Sequence, residues 1–382
     1  MIEIAATEVR RLRLPVIAAA VAVVALSAHQ AEASHVSCGD TVTADTTLDS
    51  DLLNCPNNGI VIGADDITLN LNGHRVDGDA APFESCPKGE FCDVGLLNDG
   101  HDGVIVSNGA VREFDVGVFV GRARHNRVVG ISSTKNPFFG VVVAESARSL
   151  IRNSSFNRNP GPDGDGMGLF SSRRIRILGN SFRHNELGIH VESSTQISLS
   201  RNLISRSPAA VIIEGGGRNQ FSRNRLVRNG VGIIVVGNGN TIARNHIIGV
   251  GDVGISLEDG HGNLIMGNEV RRSRRTGIGL ITFEGDQHLR DNVVRRNRVH
   301  DAGRHGFFVG STVKDTLLKG NHVSRADDDG IHVKSAATTL THNHARRNGD
   351  LGISAVAGVI DGGGNEASGN GNPQQCANVA CG

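Results

Sequence analysis

Two similar segments near the C-terminal end of the chain hold residue types that can move protons. RHGFFV covers residues 304–309 and DDDGIHVK covers residues 327–334. A carboxylate that orients a histidine, next to a lysine, is suited to removing a proton beside a sugar carboxylate, as β-elimination or C5 epimerisation of a uronate requires. We predict four catalytic residues here: His305, Asp329, His332 and Lys334.

The positions within this group suggest how it is arranged. If the two segments stack, His305 and Asp329 match, and we expect a hydrogen bond between them. Arg275 and Arg304 lie just before aligned glycines, and a guanidinium pairs well with a sugar carboxylate, so both are predicted to bind substrate. The alternative interpretation of the whole group is a solvated cluster of surface charges.

A second polar group lies earlier in the chain and consists of His190, Glu192 and Glu214. If the two glutamates lie on successive coils, about 5 Å apart, one carboxyl pKa is raised, as in retaining glycosidases. We predict that these three residues bind substrate. An acidic surface patch without a ligand is the alternative.

Several features weigh against a specific enzyme assignment. The chain has no Tyr, no Trp and 13 Phe, although sugar-binding grooves usually stack aromatic rings on the ligand. PDGDG at 162–166 and DDD at 327–329 are weak candidates for calcium, because each lacks enough spaced oxygens. His322, His342 and His344 suit copper or zinc, but exposed turn histidines are the favoured interpretation. We therefore predict no metal ligands and no cofactor.

The elements that position these residues repeat. NSFRHNELGIHV at 180–191 is followed by NLISRSPAAVII at 202–213 and NRLVRNGVGIIV at 224–235. Each unit alternates apolar and polar residues, which is typical of strands with one buried face. Such a unit buries that face only by stacking on its neighbours, and this predicts a solenoid.

The repeats also predict which side chains face the core. We align the units on the small residue before each apolar pair; residues one and three positions later should face the core, and residues two and four positions later solvent. Asparagines in the following turns should hydrogen-bond along the axis. The aligned small residues are Gly117, Gly140, Gly168, Gly188, Ala210, Gly232, Gly254, Gly277, Gly306, Gly330 and Gly352. The asparagines are Asn180, Asn202, Asn224, Asn245, Asn268, Asn321 and Asn343.

The two ends of the chain differ from the repeats. Arginines before the run LPVIAAAVAVVAL, and AEA before Ser34, predict a cleaved signal peptide over 1–33. We expect a cap at 34–58 with a disulfide, the solenoid at 59–372, and a tail at 373–382 with a disulfide. The cysteines are predicted to pair locally, as Cys38 with Cys55, Cys86 with Cys92, and Cys376 with Cys381; a zinc site is the alternative.

The repeats N-x-[IV]-x(5–6)-G-[IV]-x-[LV], with ITLNLNGHRVDG at 67–78, resemble the right-handed parallel β-helix proteins of the pectate-lyase type. They are most similar to exported bacterial carbohydrate-binding and sugar hydrolysis repeats, which also occur in periplasmic copper-maturation accessory proteins. The resemblance covers 60 to about 372 and implies an all-β, right-handed, single-stranded parallel β-helix of about 13 coils. A leucine-rich repeat is the rival fold. The tyrosine of alginate-type lyases and epimerases is absent, and neither the calcium ligands nor the arginine base of pectate lyases is evident.

These observations leave three functions open. The first is an exported protein that binds, and can modify, an acidic polysaccharide as a lyase, an epimerase or a glycoside hydrolase. The second is a non-catalytic envelope scaffold, and the third is a periplasmic metal-maturation accessory. The net charge is +0, which offers no general attraction for nucleic acid. We expect a monomer, secreted or periplasmic, with a polysaccharide or envelope partner and no membrane span after signal cleavage.

Overall fold

The computed structural model describes residues 33–81, 93–159, 161, 164–281 and 289–382. Within these ranges every regular element is a β-strand, and all strand pairs are parallel. No helix in this part of the chain has the length and apolar character needed to cross a membrane. The predicted signal peptide lies, apart from Ala33, outside the described residues.

Each turn of the solenoid contributes one strand to sheet 1, which has 15 strands in the described ranges and spans about 14 turns. Its strands are β2 (Asp40–Val42), β5 (Ile60–Ile62), β8 (Val94–Asp99), β10 (Val116–Gly121), β12 (Phe139–Ala144), β15 (Asp165–Phe170), β18 (Leu187–Glu192), β21 (Ala209–Gly217), β24 (Val231–Asn238), β27 (Ile255–Asp259), β30 (Ile278–Leu280), β33 (Phe307–Val309), β36 (Ile331–Val333), β39 (Ile353–Ala355) and β42 (Cys376–Ala377). The expectation of about 13 coils is therefore close.

Sheet 2 has 27 strands among the same residues, arranged in two rows that β9 and β11 join. The first row holds β1 (Ala33–Ser34), β3 (Thr46–Leu48), β6 (Thr68–Asn70), β9 (Ile105–Arg112), β11 (Arg127–Thr134), β13 (Leu150–Arg152), β16 (Arg176–Leu178), β19 (Ser198–Ser200), β22 (Gln220–Ser222), β25 (Thr241–Ala243), β28 (Leu264–Met266), β31 (Val293–Arg295), β34 (Thr316–Lys319), β37 (Thr338–Thr341) and β40 (Ile360–Asp361). The second row holds β4 (Leu52–Cys55), β7 (Arg75–Gly78), β14 (Ser155–Asn157), β17 (Ser181–Arg183), β20 (Leu203–Ser205), β23 (Arg225–Val227), β26 (His246–Ile248), β29 (Glu269–Arg271), β32 (Arg298–His300), β35 (His322–Ser324), β38 (His344–Arg346) and β41 (Glu366–Ser368).

The alternation of side chains across sheet 1 follows the predicted register. In β18 the side chains of Ile189 and Val191 are buried, while His190 is partly exposed and Glu192 is exposed. In β36 Ile331 and Val333 are buried around a partly exposed His332. Since apolar residues repeat at these positions on every turn, stacking buries one continuous core and fixes which residues can reach a ligand.

One position of the predicted alignment is wrong. Gly166, not Gly168, is the small residue stacked between Gly140 and Gly188, and Gly168 pairs instead with Val142 and His190 in the outward column. Gly166 is required there because a Cβ would lie 2.5 Å from the backbone oxygen of Gly188. The segment between β14 and β15 is longer than the corresponding segments of the units on either side, and this extra length obscures the shift of two residues in the alignment.

Buried asparagines form the expected ladder between the two rows of sheet 2. The Nδ2 of Asn224 donates to the Oδ1 of Asn245 at 3.0 Å, and Asn245 donates in the same way to Asn268 at 3.0 Å. Each side-chain oxygen also accepts a backbone N–H from the turn before it. The ladder contains two members that the sequence alignment missed, Asn297 and Asn365. It satisfies polar backbone groups that the core would otherwise leave unpaired.

The residue before each of these asparagines carries the left-handed backbone conformation. Arg223 and Arg244 have φ of 57° and 56°, and Gly267 takes the same position with 63°. An arginine in this conformation costs more than a glycine would, but it directs a long cation outward from the corner. Arginine takes this position on three successive rungs, at Arg201, Arg223 and Arg244, and so places positive charge along that part of the corner.

Two of the predicted disulfides are present. Cys38 is bonded to Cys55 and Cys376 to Cys381, which confirms local pairing for these four cysteines. Cys86 and Cys92 lie outside the described residues.

Candidate functional site

A cluster of polar and aromatic side chains lies on the outer face of sheet 1 around β33 and β36. Phe308 in β33 pairs in register with His332 in β36, so their side chains point to the same face one rung apart. We call the group the His332 cluster. It comprises His305, Phe308, Asp328, Asp329, His332 and Lys334.

The hydrogen bond inside the cluster differs from the prediction. Asp329 does not bond His305; its Oδ2 lies 2.6 Å from the Nδ1 of His332, and its Oδ1 accepts the backbone N–H of Leu351 at 3.0 Å. The Nδ1 of His305 lies 3.6 Å from Asp328, too far for a hydrogen bond. Asp329 bonds to His332 rather than to His305 because His332 follows it by three residues, with Asp329 just before β36 and His332 within it.

The rings of the cluster are stacked. The ring centroids of His305 and His332 lie 4.5 Å apart with planes 20° from parallel, and Phe308 stacks on His332 at 5.8 Å. The Nζ of Lys334 lies 5.7 Å from the centroid of Phe308, within the range of a cation–π contact. This stack restricts the rotation of the His332 ring and so holds its free edge in one place.

Burial and hydrogen bonding set the charges of the cluster. Burial acts to raise the pKa of Asp329, but its hydrogen bonds with His332 and Leu351 outweigh burial and hold that pKa below the usual value. Burial, together with the neighbouring His332, lowers the pKa of His305 to about 4. At neutral pH the cluster therefore contains a charged carboxylate and a neutral His305.

The two predicted arginines lie at the edge of the cluster and are exposed. Arg275 is 3.7 Å from Asp252, and Arg304 is 4.0 Å from Asp328. Both distances are long for ion pairs, and exposed pairs of this kind are weak. The guanidiniums are therefore available to an anionic ligand, although each has a competing carboxylate nearby.

The geometry gives His332 a defined protonation pattern. When Nδ1 donates to Asp329, Nε2 carries the lone pair and is the atom able to accept a proton. This is the arrangement of a general base whose tautomer is fixed by a carboxylate. Of the four predicted catalytic residues, His332 and Lys334 thus lie on the outer face, while His305 and Asp329 are both buried.

A groove of about 560 Å³ lies beside His190 of the second predicted group, near the middle of sheet 1, and Glu192 and Glu214 do not line it. The Nε2 of His190 lies 3.4 Å from Glu214, and its Nδ1 lies 4.0 Å from Asp165. Glu192 and Glu214 pair in register on neighbouring rungs, as predicted. We call this site the His190 groove; it is lined by Phe138, Phe139, Asp165, Phe170, Glu186, Leu187 and His190.

The aromatic wall of the His190 groove was missed from the sequence. The ring of Phe170 packs edge to face against His190, with ring centroids 5.7 Å apart. Phe170 also packs edge to face against Phe139, with centroids 5.8 Å apart. With Gly166 as the aligned residue, Phe170 falls in the same outward column as Glu192, and this register would have revealed it. The partly exposed rings of Phe139 and Phe170 provide the flat apolar surface that sugar rings favour.

A third carboxyl, Glu258, lies in β27, three rungs from His190, where the register shifts. Val236 pairs with Asp259 rather than Glu258, so Glu258 bulges out of the ladder and its Oε1 accepts the Ser256 hydroxyl at 2.9 Å. Burial raises the pKa of Glu258, and the charge of Glu214 adds to this rise even though the Ser256 bond opposes it. The raised pKa makes Glu258 a weaker acid than an ordinary glutamic acid.

Two groups in the described ranges bring three metal-binding atoms within 4.8 Å of one another. One is His305, Asp329 and His332, and the other is Asp328, Asp329 and Asp350. Two imidazoles and one carboxylate suit copper, zinc or nickel. Three carboxylates fall short of the six to eight oxygens that calcium takes, and Asp329 is already bonded to His332.

Comparison of the sequence with protein families gives two matches. Residues 73–250 match the model described as periplasmic copper-binding protein (NosD), and residues 231–373 match the right-handed β-helix region. No curated protein matches the chain in sequence. The copper-related match ends before the His332 cluster begins.

Solved structures share the fold. A periplasmic alginate epimerase double mutant is 16% identical over 86% of this chain and 85% of its own, with a TM-score of 0.51. A tailspike protein double mutant of E. coli bacteriophage HK620, in complex with a pentasaccharide, is 12% identical over 89% of this chain and 73% of its own, with a TM-score of 0.52. At these identities the likeness shows the fold alone.

The fold and repeats define the class of protein. The chain folds as a parallel β-helix, as the repeats predicted, and its C-terminal part matches the right-handed β-helix region. Its disulfides fit an oxidising compartment.

Proposed function

We propose that the protein binds an acidic polysaccharide along the outer face of sheet 1 and removes a proton from a uronate unit at the His332 cluster. The observation that carries this proposal is the 2.6 Å contact between Asp329 and the Nδ1 of His332, which leaves Nε2 as the basic atom on an exposed sheet face. Export to the periplasm or cell surface, where such polymers occur, is part of the proposal.

The proposed step begins with the transfer of the C5 proton of a uronate to the Nε2 of His332. Lys334 and Arg304 would neutralise the sugar carboxylate and so stabilise the charge that develops next to it. In β-elimination the C4–O bond then breaks, its oxygen takes a proton, and a C4=C5 double bond forms. In epimerisation no bond to oxygen breaks, and a proton returns to C5 from the opposite face.

The His190 groove supplies the second half of the binding surface. His190 and His332 lie in the same outward column, separated by six rungs along sheet 1, or roughly 29 Å. A polymer lying along this face would reach both places. The phenylalanines of the groove would stack on sugar rings while His190 donates to hydroxyl groups.

Proton removal can be measured without knowing which of the two reactions follows. We expect the protein, incubated in D₂O with alginate, pectate or hyaluronan, to remove the C5 proton of one polymer, seen by proton NMR as loss of the C5–H signal. The signal is lost by replacement with deuterium in epimerisation, or by formation of the unsaturated product in β-elimination, and we call either loss proton exchange. His332→Gln and Asp329→Asn should each slow this exchange about 100-fold or more, because the base or its orientation is lost.

The matched control is His344→Gln. His344 is also a histidine bonded to a carboxylate, with its Nδ1 2.9 Å from Glu366, but it lies on sheet 2. Its replacement should leave the exchange rate unchanged. Absence of exchange with all three polymers would contradict the catalytic proposal, and calorimetric titration of the same polymers would then decide whether binding alone remains.

A second candidate function rests on the same cluster. His305, Asp329 and His332 present three ligand atoms within 4.8 Å, and the Nδ1 of His305 is buried without a hydrogen-bond partner in the described part of the chain. A divalent transition metal held there would fit a role in periplasmic metal handling, the function suggested by the copper-related family match. These residues suit the metal although they lie outside the matched range.

Metal binding has a direct test. Equilibrium dialysis against Cu²⁺ or Zn²⁺ should load one ion per chain in the wild type, and His305→Gln should remove it while His344→Gln retains it. If His305→Gln loads metal as well as the wild type does, the metal role is wrong. If it loses metal yet keeps proton exchange, the ion is not part of the reaction.

A further inference from the structure

A groove of about 580 Å³ on sheet 2 is lined by cations and lies apart from the two sites on sheet 1. Its floor is formed by four successive strands of the second row of sheet 2: β14, β17, β20 and β23. We call it the arginine groove. Its lining includes the arginines Arg158, Arg183, Arg206, Arg225 and Arg228 together with His184, and no carboxylate lines it.

The cations of the arginine groove occur at regular spacing. Arg158, His184, Arg206 and Arg228 occupy the same left-handed turn position on four consecutive rungs, with φ between 56° and 61°. Consecutive rungs lie about 4.8 Å apart. The Nη1 of Arg206 lies 3.1 Å from the Nε2 of His184, so these two neighbouring members of the row are in direct contact.

These arginines have no counter-charges of their own. Within the described ranges none of the five pairs with an aspartate or glutamate. Farther along the chain the equivalent positions do carry counter-charges. Arg325, which holds the same turn position as Arg206 and Arg228, binds Asp301 at 2.6 Å. His246, which follows Arg225 in register on the next rung, binds Glu269 at 3.0 Å. In a protein of net charge +0, this groove therefore concentrates one sign of charge.

The positive electrostatic potential of the groove affects the pKa of His184. Burial lowers the pKa of its imidazole, and the positive charges of Arg206, Arg158 and Arg183 lower it further. A neutral histidine among guanidiniums can donate to, or accept from, a sugar hydroxyl. The groove thus combines repeated cations with neutral polar groups, including Ser205 and Asn157.

We propose that the arginine groove binds an anionic polysaccharide whose charged groups lie along successive rungs. Guanidinium forks match carboxylate, phosphate and sulfate groups. The lining contains no phenylalanine, tyrosine or tryptophan, so it lacks the large rings on which single-stranded nucleic-acid bases stack. The concave shape does not fit a flat lipid surface. The site is separate from the His332 cluster and holds the polymer without reacting with it.

Binding can be measured by fluorescence anisotropy with labelled oligogalacturonate and labelled dextran sulfate, using neutral dextran as a blank. We expect wild-type protein to bind at least one anionic glycan, with an affinity that falls as salt increases. Arg206→Gln and Arg228→Gln should each weaken binding about tenfold, because each removes a charge-assisted contact.

Arg325→Gln is the matched control. Arg325 has the same left-handed turn conformation, with φ of 56°, but is paired with Asp301 outside the groove. Its replacement should change the affinity less than twofold. An equal loss in this variant would replace a defined groove with a diffuse surface charge and overturn the proposal, as would absence of glycan binding by the wild type.

Two further probes test the assignment to glycans and its independence. Single-stranded DNA and phosphatidylglycerol vesicles should bind more weakly than the anionic glycan; tighter, arginine-dependent binding of either would overturn the glycan assignment. His332→Gln should leave groove binding unchanged. Loss of proton exchange in that variant, with groove binding retained, would show that the two sites are separate.

Discussion

Among single residues, the side chain of His305 has the most unusual environment. It is 3% exposed, stacked on His332, and its Nδ1 has no hydrogen-bond partner in the described structure, although Asp328 and Arg304 are close. The pKa of this imidazole is lowered because protonation would place a charge in a buried stack next to another histidine. The fold therefore requires His305 to be neutral.

This requirement predicts acid sensitivity. Unfolded His305 takes up a proton below about pH 6.5, whereas the folded group resists protonation until about pH 4. The free energy of unfolding should therefore fall as pH decreases between these values, by about 2 kcal/mol at pH 5. Thermal unfolding followed by circular dichroism at pH 7 and pH 5 measures this loss.

The comparison variant is His305→Gln, which removes the titrating group and keeps a polar side chain. The pKa values of His184, His300 and His322 are also lowered, but these histidines are the same in both proteins and cancel in the difference. The variant should lose less stability than the wild type between pH 7 and pH 5. An identical loss would show that His305 is protonated freely in the folded state.

The residue scale is also where sequence prediction was least complete. The sequence placed Asp329 and His332 near one another, but it gave no side-chain directions, and the contact between Asp329 and His305 was wrong. Phe139 and Phe170 were missed because their role depends on a ring edge facing His190 across rungs. Contacts of this kind depend on side-chain torsions that residue spacing does not contain.

Among the elements, the asparagine ladder links one rung to the next. Asn245 is buried, donates to the backbone oxygen of Phe221 at 3.0 Å, and accepts the backbone N–H of Asn224 at 2.9 Å. It also connects the side chains of Asn224 and Asn268. Replacing one amide therefore leaves several buried groups unpaired at once.

Asn245→Ala should lower the free energy of unfolding by about 3 kcal/mol, since each buried unpaired group costs about 1 to 3 kcal/mol. Urea unfolding followed by circular dichroism gives this value. Asn372→Ala is the control, because Asn372 is partly exposed and its side chain bonds to Asp350 and to the backbone N–H of Gln374 outside the buried ladder, and a change below about 1 kcal/mol is expected. Equal losses in the two variants would show that the ladder is not a special source of stability.

Strand positions were predictable where a unit has the common length of 22 residues, as from Gly188 to Gly254. Gly168 was misplaced because Gly164, Gly166 and Gly168 alternate just before and within β15, so the local pattern allows more than one alignment. Pairing with the neighbouring rungs selects Gly166, where a larger residue would collide with the backbone of Gly188. The correct alignment thus depends on contacts between units rather than on the unit itself.

Considered as a whole, the molecule presents different chemistry on different faces of one solenoid. Sheet 1 carries the His190 groove and the His332 cluster, and sheet 2 carries the arginine groove. The class of fold followed from the sequence because periodicity is a property of the entire chain. The division of charge between faces was not evident, because the 39 basic and 39 acidic residues cancel in the total.

The shared corner ladder also constrains how such a molecule can change over evolution. Rungs of 21 to 29 residues share the same ladder, so a loop can lengthen without breaking it, whereas the number of rungs changes only when an entire rung is duplicated or deleted. The distance between the His190 groove and the His332 cluster can therefore grow or shrink only in steps of about 4.8 Å. A lineage could in this way fit the same two sites to shorter or longer polymers without redesigning either one.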